Sequence, residues 1–113
     1  MSIAGDLIRG HTDAIILARL LQSDSYGFEI NKMISNLSSG RFELKEATLY
    51  TAFKRLEEAG FIASYWGNEN IGARRKYYTL TQAGREAFEV QQNAWKTARD
   101  MINKLMKTEE HLI

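Results

Sequence analysis

The chain has no cysteine. That excludes a disulfide scaffold, a thiolate metal site and a cysteine nucleophile, and it fits a reducing cytoplasm. Proline is also missing, so helix ends must be read from glycine, capping residues and periodicity. Histidine is scarce. His11 and His111 lie far apart, and the second falls in a charged tail, Glu109-Glu110-His111, that reads as solvated rather than chelating. No Ser/His/Asp arrangement, metal-ligand spacing or glycine-rich phosphate loop occurs, so the sequence predicts no enzyme, no cofactor and no metal. The longest aliphatic run, Ala14 to Ala18, is far below the ~20 apolar residues of a membrane span. Met1 to Gly10 lacks the basic start and apolar centre of a signal peptide. These absences predict a cytoplasmic protein with no membrane partner.

What is present is one domain's worth of chain. It has 113 residues, 44% of them hydrophobic and 26% charged, enough for one small core and too apolar for disorder. The net charge of +1 hides a pattern. Met1 to Gly40 carries three basic and four acidic residues, and Glu86 to Ile113 carries four and five. Arg41 to Arg85 carries eight basic and five acidic residues, including the run Arg74-Arg75-Lys76. The middle third is therefore the basic one. Charge alone is equally compatible with a solvated hairpin.

Periodicity predicts a first helix over Asp6 to Gln22, with Leu7, Ala14, Leu17 and Leu21 on the buried stripe. A second runs from Tyr26 to Leu37. Arg41 to Lys45 alternates and reads as a short strand or an extended segment. A third helix spans Glu46 to Ala59, with Leu49, Ala52, Phe53 and Leu56 inward and Ala47, Thr51, Lys54 and Glu58 outward, flanked by Thr48, Tyr50 and Arg55. Gly60 suits its C-terminal end. Ile62 to Trp66 and Arg75 to Leu80 read as two strands around a turn at Gly67 to Gly72. Tyr77 and Tyr78 must alternate faces, so one of them belongs to the core. Thr81 can cap a last helix that reaches about Lys107 and is ~40 Å long.

Such a helix overhangs a compact domain whose radius of gyration would be ~13–14 Å. Gly84, Phe88, Gln91, Trp95, Ala98, Ile102 and Leu105 repeat at intervals of 4, 3, 4, 3, 4 and 3, the seam spacing of a helix pair. A second copy is the simplest partner, with Phe88, Trp95, Ile102 and Leu105 at the dimer interface. The alternative is a helix folded back over the first helix of its own chain.

The outline is mainly α with a small β-hairpin: a winged helix-turn-helix with a long C-terminal dimerisation helix. Residues 1–80 would form the winged body, whose N-terminal helix also contributes to the dimer, and residues 81–113 the dimerisation helix. An exposed polar helix fits the DNA major groove. Thr48, Tyr50, Thr51, Lys54 and Arg55 stand on the third helix, and Arg74, Arg75 and Lys76 on the hairpin could follow phosphates. Pattern alone leaves a second class open, a winged-helix protein-interaction module that does not grip DNA.

The segment Glu46-Ala47-Thr48-Leu49-Tyr50-Thr51-Ala52-Phe53-Lys54-Arg55-Leu56-Glu57-Glu58-Ala59-Gly60-Phe61-Ile62 resembles the signature helix of the PadR-like transcriptional regulators. Gly72 to Gly84 resembles their wing and the start of their last helix. Tyr26-Gly27-Phe28-Glu29-Ile30 resembles the opening of their second helix, and Arg9-Gly10 part of their N-terminal one. Thr51 departs from the family, where proline commonly follows the signature tyrosine, so base contacts should differ. The resemblance implies a dimeric repressor of a double-stranded DNA operator. It implies helix contacts from Thr48, Tyr50, Thr51 and Lys54, and wing contacts from Arg74, Arg75 and Lys76. Similarity to the short, multidrug-binding form of the family implies an aromatic small-molecule effector at the dimer centre, near Leu7, Ala14, Gln91 and Trp95. Arg99 stands there in place of an acidic residue, which would disfavour cationic ligands. The plain alternative is that Trp95 simply packs at the interface.

Overall fold

The computed structural model describes residues 2–67 and 74–109. Five helices and three strands follow in the order α1 (Ile3–Arg9), α2 (Thr12–Gln22), β1 (Ser25–Tyr26), α3 (Gly27–Leu37), α4 (Glu46–Glu58), β2 (Ile62–Trp66), β3 (Lys76–Leu80) and α5 (Gln82–Leu105). The sheet is antiparallel, in the order β1-β3-β2. The fold is mainly helical with a small sheet and a long last helix, as the sequence predicts. The turn expected at Gly67 to Gly72 lies mostly outside the described residues, as does His111.

One predicted element divides. The helix expected over Asp6 to Gln22 is two helices with a break at Gly10 and His11. The His11 amide turns back to the Ile8 carbonyl at 2.8 Å, and the Thr12 hydroxyl donates to the Arg9 carbonyl at 2.8 Å. These bonds close α1 instead of continuing it. Periodicity missed the break because both pieces are amphipathic, yet they face different surroundings. Ile16, Leu17 and Leu20 of α2 enter the core, whereas Leu7 of α1 is 69% exposed.

The core unites α2, α3, α4 and the sheet around Ile30, Leu49, Phe53, Leu56, Ile62 and Tyr78. Arg41 to Lys45 resolves as extended chain with no strand partner. Phe42 and Leu44 are buried there, and side chains supply the bonds a ladder would otherwise give. The Asn31 amide accepts from the Leu44 amide at 2.9 Å and donates to its carbonyl at 2.7 Å. The Ser38 hydroxyl accepts from the Phe42 amide at 3.0 Å. Strand β1 is only two residues long and carries no sequence signal of its own. It is held by pairing with Tyr77 and Tyr78.

The chain turns into α5 at Gly60, whose φ of +81° closes α4. The Thr81 hydroxyl caps α5 by accepting from the Gly84 amide at 3.0 Å, and it donates to the Gly60 carbonyl at 2.7 Å. Gly84 lets α5 lie directly on the chain below. A Cβ there would fall 2.0 Å from the Phe61 carbonyl oxygen. From that anchor α5 runs out for 24 residues, about 36 Å. The result is an elongated molecule of 62 × 29 × 21 Å with a radius of gyration of 16.6 Å.

Candidate nucleic-acid interface

Helix α4 is amphipathic by construction. Leu49, Ala52, Phe53 and Leu56 are buried, and Ala47, Thr48, Thr51, Lys54 and Glu58 face solvent. The outward face thus carries hydroxyls and one free-standing ammonium on a rigid rod anchored by four core residues. Tyr50 is half exposed and does structural work too. Its ring meets Phe53 edge-on at 5.6 Å. It lies so close to α3 that a Cβ on Gly27 would fall 2.6 Å from its hydroxyl oxygen.

Arg55 turns toward α2 while staying about half exposed. Its guanidinium donates to both carboxylate oxygens of Asp13 on α2, with Nε at 3.2 Å from Oδ2. The hydrogen bond to Asp13 raises its pKa further above the ordinary arginine value. Beside this pair lies an open groove of about 360 Å³ lined by Arg9, Thr12, Ala47, Thr48, Thr51 and Arg55. The elbow between α1 and α2 therefore shares a surface with α4. Nothing in the sequence assigns Arg9 a contact beyond its place in the Arg9-Gly10 motif.

The three wing cations divide between the two sheet faces. Arg74 lies over Trp66 at 5.7 Å and Lys76 over Tyr78 at 5.8 Å. That is the α4 side of the sheet, since Tyr78 stacks on Phe53 at 4.0 Å and Ser64 donates to Glu57 of α4 at 2.6 Å. Arg75 lies on the opposite side, over Tyr26 at 4.7 Å, beside a row in which Tyr77 touches Tyr26 and Tyr65. Burial pushes the Tyr78 phenol above its usual pKa, and hydrogen bonding to Asp24 does the same for Tyr65. Tyr78 is thus the core tyrosine of the pair.

The residues expected around an effector are spread over three helices. Leu7 is exposed on α1, Ala14 is half-buried on α2, and Gln91, Trp95 and Arg99 follow along α5. Trp95 is 45% exposed and meets the His11 ring edge-on at 5.1 Å. Arg99 bonds its neighbour Asp100 at 3.1 Å. A second groove, about 260 Å³, is lined by Leu21, Gln82, Arg85, Glu86, Phe88, Glu89 and Gln92. Neither groove contains any of those five residues. Of the expected interface, Phe88 packs against its own chain's core. Ile102 and Leu105 are 49% and 78% exposed. Among the described residues no cluster of metal-ligating side chains occurs, and no helix is long and apolar enough to cross a membrane.

Comparison with known proteins agrees with this geometry. A transcriptional regulator from Clostridium thermocellum is 42% identical and superposes with a TM-score of 0.85, over 94% of this chain and all of that one. A PadR family transcription regulator from Clostridium difficile is 37% identical, with a TM-score of 0.75 over 86% of this chain and 99% of its own. An uncharacterized protein from Lysinibacillus sphaericus is 40% identical over 93% of this chain and 96% of itself. The model of the PadR-like transcriptional regulators matches residues 16–90, from the first core residue of α2 to the middle of α5. Members of that family regulate transcription through a DNA-binding winged helix and are not enzymes, and this chain belongs to it.

Proposed function

We propose that the chain is a homodimeric, cytoplasmic repressor that binds a double-stranded operator with α4 in the major groove and β2–β3 along the phosphates. In this reading residues 1–80 form the winged body and residues 81–113 the dimerisation helix, with α1 helping to join the two copies. The observation that carries it is the outward face of α4, where Thr48, Thr51 and Lys54 are exposed on a helix otherwise locked to the core. Hydroxyls at that position can reach base edges, while Lys54, Arg55, Arg74, Arg75 and Lys76 supply affinity without sequence choice. Ile3, Leu7, Met101, Ile102 and Leu105 leave exposed apolar side chains on α1 and the outer half of α5, which supports pairing with a second copy.

We further propose, by resemblance to the lactococcal multidrug-resistance regulator, that a planar aromatic ligand stacks on Trp95 at the dimer centre and releases DNA. In this reading the site is built by both copies, with Trp95 of each facing the centre. Arg99 would favour neutral or anionic ligands.

Titration of labelled promoter duplex at several salt concentrations tests the main reading. Up to five basic residues per subunit, not all of them on phosphate at once, give an expected log–log slope of roughly −4 to −8 for a dimer. Thr51→Ala should change which sequences are preferred, whereas Arg74→Ala should weaken specific and random DNA alike. Weak affinity that is flat with salt would instead favour a protein-interaction module. For the ligand, Trp95 emission in a Trp66→Phe background should be quenched by planar aromatic compounds. No response from neutral, anionic and cationic dyes would remove the effector.

A further inference from the structure

The groove beside α4 has a second wall that the readout residues do not account for. Arg9 and Thr12 form it, at the elbow where α1 ends and α2 begins. Two arginines thus border one concave surface, together with Thr48 and Thr51 of the outward α4 face. Each rests on a carboxylate: Arg9 on Asp6 of its own helix, and Arg55 on Asp13 of α2. Both pairs are open to solvent on at least one partner, Asp6 at 59% and Arg55 at 54% side-chain exposure, so each bond is weak and exchangeable.

We propose that Arg9 is a phosphate contact of the DNA complex, acting with Arg55 as a two-sided clamp on one backbone phosphate at the edge of the major groove. The contact presupposes that α4 enters the groove, as proposed above. A helix seated in the major groove is flanked by phosphates on both rims. The wing cations Arg74 and Lys76 lie on the hairpin side of α4, and Arg9 lies on the side of the elbow. A guanidinium can engage phosphate through paired N–H donors, which makes arginine the better fit than lysine for a clamp. Without DNA, Asp6 and Asp13 keep the groove close to neutral. When phosphate enters, it competes for the same donors, and the carboxylates return to water. Helix α2 begins on this wall with no side chain capping its first turn, which adds a favourable partial charge to the arginines that carry the site.

The test uses the full chain with a retained promoter duplex and a random duplex, read by fluorescence anisotropy across salt. Arg9→Gln should reduce the salt slope by about 1 per subunit, so about 2 per dimer, and weaken both duplexes by the same factor. Asp6→Asn breaks the same ion pair but leaves Arg9 in place, so it should tighten binding to both duplexes. A purely structural ion pair would make the two variants change affinity in the same direction, and that result overturns the clamp. An unchanged slope in Arg9→Gln also overturns it. If the unaltered chain binds neither duplex, the DNA-binding reading itself fails, which is a separate outcome. Melting temperature and sedimentation of both variants identify any loss of fold or of the dimer.

Discussion

The winged body and the rod that leaves it are built on opposite principles. In the body, α2, α3, α4 and the sheet bury one another's apolar faces, and among the described residues no buried side-chain polar atom lacks a partner. In the rod, α5 is the most amphipathic-looking helix by pattern, yet Gly84 is its only buried residue. Helix α1 has no buried residue at all. Both regions carry apolar stripes in the sequence. The difference is that one stripe is consumed within the chain, while the other is left for something outside it. A hydrophobic period therefore reports that a face wants burial and does not say which chain supplies it.

This contrast can be broken most severely in the body. Phe53 is 1% exposed and stacks on Tyr78, so Phe53→Ala should cost about 3–5 kcal/mol in denaturant unfolding. Loss of under about 1 kcal/mol would mean that the body is less tightly built than its contacts imply. The rod should respond differently. If the proposed interface is right, Ile102→Glu should leave the folded body intact by circular dichroism but raise the dimer dissociation constant roughly 30-fold or more, a cost of about 2 kcal/mol. Sedimentation equilibrium reads this directly, as movement from twice the 12.9 kDa chain mass toward that mass itself. An unchanged mass would place the interface elsewhere. The junction of the two regions sharpens the contrast further. Gly84→Ala places a methyl group against the Phe61 carbonyl, so about 1–3 kcal/mol of overpacking is expected in thermal unfolding. A neutral outcome would show that α5 can shift on the body without penalty.

Much of the body was legible in the sequence because its signals are local. The 3.6-residue stripe of Leu49, Ala52, Phe53 and Leu56 fixes which face of α4 is inward. The Tyr77-Tyr78 pair requires one of the two to be core without saying which, and Gly60 and Thr81 mark the turn into α5. The misses are non-local. The break at Gly10 and His11 depends on α1 pointing away from the core, and β1 exists only because β3 lies beside it. The division of Arg74, Arg75 and Lys76 between two sheet faces follows from strand alternation once β3 is known to start at Lys76. The Asp13–Arg55 pair joins residues 42 positions apart, and no single-chain pattern announces such a partnership. Arg9 entered the groove for the same reason: it depends on how α1 and α4 come together in space.

Hydroxyl-radical footprinting of a genomic fragment retained by the protein tests the central claim most directly. Two copies, each with α4 in a major groove, should protect two symmetric half-sites one helical turn, about 10–10.5 base pairs, or a multiple of it apart. A single protected patch, or no protection at a concentration where the fragment is retained, would contradict a dimer that reads DNA through α4.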